Sequence, residues 1–237
     1  MKKKSKILII ILIIIILFLL PISIYLGIYY KASPNVSKYL KNSKSVKVIK
    51  EKDGYLFDGP STDSILVFYP GAKVEYTSYA PIMYNLAKED VDTYIVKMPF
   101  NIAFFKMNAI KDIKEKYNYN NWYLSGHSLG GVVASSDATK NDIDGLILLA
   151  SYSTTKIKTN VLTIYGSNDG VLNIEEYKEN KINIPNNKEV IITGGNHAYF
   201  GNYGEQKGDK KATITRDEQQ EKTINEIIKF IKKYRID

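Results

Sequence analysis

The chain has 237 residues, room for one domain with a substantial core, and it has no cysteine. Disulfides, thiolate metal sites, cysteine nucleophiles and lipid attachment through an N-terminal cysteine are therefore excluded. Of the formal charge of +8, four units sit on Lys2, Lys3, Lys4 and Lys6; the about +4 that remains is interspersed with acids, too weak a field to suggest a nucleic-acid partner.

From Ile7 to Tyr30 the sequence runs 24 residues without a charge, mostly Ile and Leu. As a helix rising about 1.5 Å per residue this crosses a hydrocarbon core of about 30 Å. The lysines before it favour a cytoplasmic N-terminus and place the rest of the chain outside. Pro21 is a candidate kink, and Tyr25, Tyr29 and Tyr30 suit an interfacial belt. A cleaved signal peptide is the competing interpretation. Against it stand the length of the apolar run and the bulky Tyr30 three positions back from an end at Ala32. The expected organisation is a cytoplasmic tip and membrane anchor over 1–30, a stalk over 31–45 with a short helix opening at Ser33-Pro34, and a folded domain over 46–237.

Within that domain, "VKVIKEKDGYLF" predicts two antiparallel strands around Asp53-Gly54, and "SILVFYPG" a buried strand ending in a Pro-Gly break. Tyr79–Lys88 reads as a helix capped by Ser78, Val91–Met98 as a strand, and 102–116 as largely helical. Next come strand "NWYLSG", helix Leu129–Thr139, strand Ile143–Ser151, strand Asn160–Gly166, a short helix around Ile174–Lys178, and strand Lys188–Gly195. The last helix opens with a capping box, Thr215 and Glu218, and carries Ile224, Ile227, Ile228 and Ile231 on one face. Near-continuous apolar strands alternating with helices predict an α/β fold: a mostly parallel sheet covered on both faces.

In such a sheet chemistry sits beyond the carboxyl ends of the strands. Ser128 stands in G-x-S-x-G (Gly126, Gly130) at a strand-to-helix junction, the context of a nucleophile elbow, where a side chain at either glycine would collide with the adjoining strand or helix. Asp169 follows the strand ending at Gly166. On position alone it is equally readable as a turn cap before Gly170, whereas Asp142 and Asp144 precede their strand and fall at the opposite edge. His197 follows the last strand, and the only other histidine, His127, lies within the serine motif. A serine near neutral pH needs a base of nearby pKa, which points to His197. The order Ser, Asp, His is that of this architecture. The turn "YPGAK" would supply an oxyanion donor, the amide of Ala72, to join that of Leu129, with Lys73 alongside. Phe104, Phe105, Tyr199 and Phe200 are candidate walls of an acyl pocket. No metal or cofactor motif is present.

Taken together, "FYPG", "MPFNIAFF", "WYLSGHSLGG", "YGSNDG" and "GGNHAYFGNYGEQKGD" resemble the small α/β-hydrolases of the fold-5 type, as in membrane-anchored or secreted forms from Gram-positive bacteria. The resemblance covers nearly all of 46–237 and implies a Ser-Asp-His hydrolase, with Ser128, Asp169 and His197 at the family's triad positions. It does not name a substrate. The expectation is thus a membrane-tethered extracellular serine hydrolase that cleaves an ester or similar acyl bond of a small molecule and needs no cofactor. The alternative from another class is a catalytically silent module of this fold that binds a cell-wall or membrane component. Only "YSTTKIKT" joins the strands ending near Ser151 and beginning at Asn160, too short to build a cap, so an open site for short acyl groups is expected.

Overall fold

A computed structural model describes residues 3–60 and 63–235; Lys2 and Asp237, at the ends of the expected segments, lie outside them. The expected hairpin forms. Strands β1 (Lys47–Glu51) and β2 (Gly54–Asp58) pair antiparallel, with Glu51 opposite Gly54. They lead into β3 (Ser64–Tyr69), β4 (Asp92–Val96), β5 (Asn121–His127), β6 (Gly145–Leu149), β7 (Asn160–Gly166) and β8 (Asn187–Ile192). The described residues form one eight-stranded sheet in the order β1-β2-β4-β3-β5-β6-β7-β8. β2 joins β4 antiparallel, and every later pairing is parallel.

Every residue of β3, β4, β5 and β6 is buried, as the apolar runs demand of strands covered on both faces. Side chains alternate between two cores. Leu66 and Phe68 enter one with helices α2 (Ala80–Lys88) and α6 (Arg216–Tyr234), represented by Ile82, Met83, Ile227 and Phe230. Ile65, Val67 and Tyr69 enter the other with α3 (Ala109–Lys116) and α4 (Leu129–Ala138), represented by Ile110, Ile113, Val133 and Ala134. α5 (Ile174–Asn180) adds Tyr177 to the first core. The capping box of α6 forms in both directions between Thr215 and Glu218. Because β3 to β8 are parallel, the segments that follow them gather at one edge of the sheet.

Three local expectations are corrected. Ser78 does not cap α2: the chain already turns as a 3-10 segment over Tyr76–Tyr79, so Tyr79 becomes the N-cap and the Ser78 hydroxyl is buried. The 102–116 stretch is not one helix. It divides into a 3-10 turn, Ala103–Lys106, and α3, because Met107 is extended and Asn108 is left-handed at φ 61°. The Asp137 carboxylate on α4 accepts the Asn108 amide and the Tyr69 hydroxyl, and that hydroxyl accepts the Ile110 amide, so remote groups replace a local cap.

The third correction concerns 31–45, which is not a free stalk. Tyr30 pairs with the segment after β3: its amide donates to the Lys73 carbonyl (2.7 Å) and its carbonyl accepts from the Glu75 amide (2.9 Å). The Ser33 amide donates to the Asn202 carbonyl (2.7 Å), and Val36, on a 3-10 turn over Pro34–Leu40, is 2% exposed. Apolar residues spaced through a polar stretch bury it against the domain. Ahead of it, helix α1 (Lys3–Gly27) contains the apolar span Leu8–Gly27, whose side chains the domain does not cover.

Candidate active site

β5 delivers its last residues into a turn that glycines alone allow. Ser128 sits at φ 52°, ψ −127°, a strained conformation for a residue with a side chain. A Cβ at Gly126 would fall 2.5 Å from the Gly130 carbonyl, and one at Gly130 2.2 Å from the Tyr69 carbonyl. Both glycines let α4 start against the ends of β5 and β3. The strain is held from β6: the Ser128 amide donates to the Leu149 carbonyl (3.0 Å), and the Ser151 hydroxyl donates to the Ser128 carbonyl (2.7 Å). Leu129, the first residue of α4, has no acceptor for its amide within the helix.

Asp169 and His197 arrive from the loops after β7 and β8 and meet. Asp169 Oδ2 lies 2.9 Å from His197 Nδ1, with the two side chains 4% and 1% exposed. Asp169 Oδ1 accepts the Val171 and Leu172 amides at 2.9 and 2.7 Å, which aims the other oxygen at the imidazole. A carboxylate so engaged can only accept, so the proton belongs on Nδ1 and the lone pair on Nε2. Nε2 is buried with no hydrogen-bond partner among the described residues. His197 and Ser128 line the same cavity of about 210 Å³, along with Leu129, Val132, Tyr152 and Leu172.

A second carboxylate, missed from the sequence, locks the two loops together. Asp209 Oδ1 accepts the amides of Gly170 (3.0 Å), His197 (3.3 Å) and Lys210 (2.9 Å), and Oδ2 accepts that of Ala198 (2.8 Å). It thus bonds to the residue after Asp169 and to His197 itself. From α6, buried Gln219 accepts the Asn196 amide (2.9 Å) and donates to the Asn196 carbonyl (2.8 Å), fixing the same loop from below. The signal for Asp209 was its place in "GEQKGD", close to His197 in sequence.

His127 lies under the site. Its ring centre is 4.4 Å from that of His197, and its Nδ1 is 2.8 Å from the Tyr79 hydroxyl, which in turn accepts the Gly71 amide (3.1 Å). Burial, reinforced by the neighbouring His197, holds its pKa well below the usual histidine value, so it stays neutral. Gly71 is needed for the close packing of this turn on His127 and Tyr79. A Cβ would come within 2.8 Å of His127 Nδ1 and 2.9 Å of the Tyr79 hydroxyl.

The remaining expected site residues are not brought to this cavity. Ala72 lies in the turn after β3, outside the cavity lining. Lys73 turns toward α1, its ammonium donating to the Tyr25 carbonyl and lying 4.3 Å from the Tyr25 ring centre. Phe104 and Phe105 are 52% and 55% exposed on the surface. Phe200 is wholly buried, its ring 5.7 Å from that of His127, and Tyr199 lies under the Arg216 guanidinium at 4.6 Å. The cavity walls come instead from Val132, one turn along α4 from the elbow, and from Tyr152 and Leu172 in the loops after β6 and β7.

The profile of the alpha/beta hydrolase family matches residues 65–221. No curated protein matches the chain. Similar solved structures include Est1E from Butyrivibrio proteoclasticus, at 16% identity and TM-score 0.57 over 81% of this chain and 99% of that one. A carboxyl esterase 2 from the mycorrhizal fungus Tuber melanosporum aligns at 12% identity and TM-score 0.58, over 86% and 90%. A mutant epoxide hydrolase from Vigna radiata aligns at 10% identity and TM-score 0.58, over 80% and 99%. At these identities the likeness is one of fold.

Proposed function

For a chain that belongs to the alpha/beta hydrolase family, we propose that the chemistry is serine hydrolysis of an ester or similar acyl bond on a small substrate. The observation that carries the proposal is the buried Asp169–His197 contact of 2.9 Å, with His197, whose Nε2 has no hydrogen-bond partner among the described residues, lining the same cavity as Ser128. Ser128 Oγ attacks the acyl carbonyl carbon while its proton passes to His197 Nε2. The Leu129 amide, at the positive end of α4, stabilises the oxyanion. As the tetrahedral adduct collapses, the leaving alcohol takes the proton from Nε2. Water then attacks the acyl-enzyme with His197 again as base, releasing a carboxylic acid and restoring Ser128. Asp169 stabilises each imidazolium. A cavity of about 210 Å³ suits a short acyl group.

The apolar span Leu8–Gly27 anchors the chain in a membrane with the domain outside; in favour are its length, its uncovered side chains and the lysines before it. The test of the chemistry is labelling with a fluorophosphonate. Stoichiometric labelling of the wild type and none of Ser128→Ala is expected, and a folded wild type that stays unlabelled would instead favour a silent binding module. External protease on intact cells should reach the domain, whereas a soluble form beginning after Ala32 would refute the anchor.

A further inference from the structure

The loop after β4 presents large apolar side chains that the described residues leave about half exposed. Phe100, Phe104, Phe105 and Met107 are 55%, 52%, 55% and 44% exposed. They are organised rather than loose: Phe100 and Phe105 pack edge to face with ring centres 5.5 Å apart. Holding Phe100 there requires left-handed backbone at two successive residues, Phe100 at φ 53° and Asn101 at φ 56°. That conformation is unfavourable for Phe100, which has a Cβ, and in the isolated domain the residue stays 55% exposed, so burial offsets only part of the cost. Among soluble surfaces, a grouped apolar patch of this kind marks a contact with something else.

The same loop is wired to the end of α1. The Asn101 carbonyl accepts the Lys73 amide (2.7 Å), the Lys73 carbonyl accepts the Tyr30 amide (2.7 Å), and the Lys73 ammonium caps the Tyr25 carbonyl in the last turn of α1. Tyr29 and Phe100 line one groove of about 630 Å³, which also contains Lys52 and Lys97. Lys31, Lys52 and Lys97 are exposed, while the nearby acids are engaged: Asp53 pairs with Lys106, and Glu75 accepts the Ala32 amide and the Thr77 hydroxyl. Rings facing outward within a cationic rim, beside the end of an apolar span, match an anionic lipid surface. The loop after β4 and the turn after β3 lie at the carboxyl edge of the sheet, where Ser128, Asp169 and His197 also emerge.

We propose that Phe100, Phe104, Phe105 and Met107 are a footing that rests in the headgroup region of the membrane carrying α1, binding anionic lipid and holding the catalytic edge of the domain toward the bilayer. The inference relies on α1 spanning a membrane, and the experiment separates the two. Because the chain lacks cysteine, single cysteines report unambiguously. Full-length Ile14→Cys, Met107→Cys and Lys140→Cys, the last between α4 and β6 at the opposite edge, are labelled with an environment-sensitive fluorophore. Each is reconstituted in nanodiscs of phosphatidylcholine and phosphatidylglycerol, with and without nitroxide-bearing lipid. The Ile14 probe should be quenched whenever α1 is in the bilayer. The Met107 probe should shift to the blue and lose most of its emission to the nitroxide lipid, less so in pure phosphatidylcholine, while the Lys140 probe stays unquenched. Quenching at Ile14 without quenching at Met107 overturns the footing. So does a blue shift at Met107 that nitroxide lipid does not quench, since that indicates a protein partner or a second copy. No quenching at Ile14 refutes the anchor itself, and the footing with it.

Discussion

Replacing Asp209 with alanine removes the acceptor of four backbone amides without touching Ser128, Asp169 or His197. A hydrogen bond to a charged group contributes about 1.5–3 kcal/mol. The Lys210 and Gly170 amides lie on residues that water reaches, so their loss counts for little. Those of His197 and Ala198, each 1% exposed, lose their partner in a dry environment. The two together set a destabilisation of about 3–6 kcal/mol. The larger consequence is geometric. Asp209 is the common point of the Asp169 and His197 loops, so its loss frees the imidazole to drift from Asp169, and a misplacement of about 1 Å costs about 100-fold in rate. With an aryl ester, kcat should fall about 10- to 100-fold at nearly constant KM, and fluorophosphonate labelling of Ser128 should slow in parallel. Asp209→Asn should fall between, because its Oδ1 can still serve Gly170, His197 and Lys210 while its amide nitrogen confronts the Ala198 N–H. Wild-type kcat in Asp209→Ala, with only the melting temperature lowered, would show that Asp209 supports the loops without positioning the histidine.

Asp169→Asn should fold and still label, slowly, with kcat reduced about 10³–10⁴-fold because the imidazole loses both its tautomer bias and the partner of its charged form. Gly130→Ala should fail to give folded protein by circular dichroism, since its methyl would sit 2.2 Å from the Tyr69 carbonyl and 2.3 Å from that of Pro70, which no rotamer relieves. Stability should also fall on acidification: His127 is held neutral when folded but binds a proton near pH 6.5 when unfolded, so the loss begins as pH drops through about 6.5, at up to about 1.4 kcal/mol per pH unit. Asp92, pushed up to about 6 by burial, acts oppositely below that pH, so the His127 contribution should be read as the difference between wild type and His127→Gln in chemical denaturation.

The elements were legible where a single physical constraint dominates. A strand buried on both faces must be apolar throughout, which placed β7 to the residue and β3, β5 and β6 within two. The elbow was legible because its constraint is steric: only glycine fits at 126 and 130, and the motif spells that out. The sheet edge followed from parallel order, so the loops bearing Asp169 and His197 could be assigned to one side before any distance was known. Their approach to 2.9 Å was not readable, because it depends on Oδ1 of Asp169 being held by Val171 and Leu172, and on Asp209 binding both loops.

What the sequence misled about was side-chain direction within loops. Phe104 and Phe105 follow a strand at the right edge, and their bulk suggested a pocket wall. Yet Phe100, Asn101 and Asn108 are left-handed, and the loop that contains them leaves Phe104 and Phe105 exposed and outside the cavity that Ser128 lines; neither hydrophobicity nor period encodes such angles for residues other than glycine. Tyr199 and Phe200 were misjudged for the converse reason. Phe200 packs against the ring of His127, which lies under His197, and Tyr199 packs on Arg216, so neither stands over Ser128. The cavity walls therefore fall to Val132, Tyr152 and Leu172, from three separate elements. Strand order predicts which loops reach the site; which of their residues face it is decided by how each loop is tied down, and here those ties are mostly backbone amides bonded to distant carboxylates.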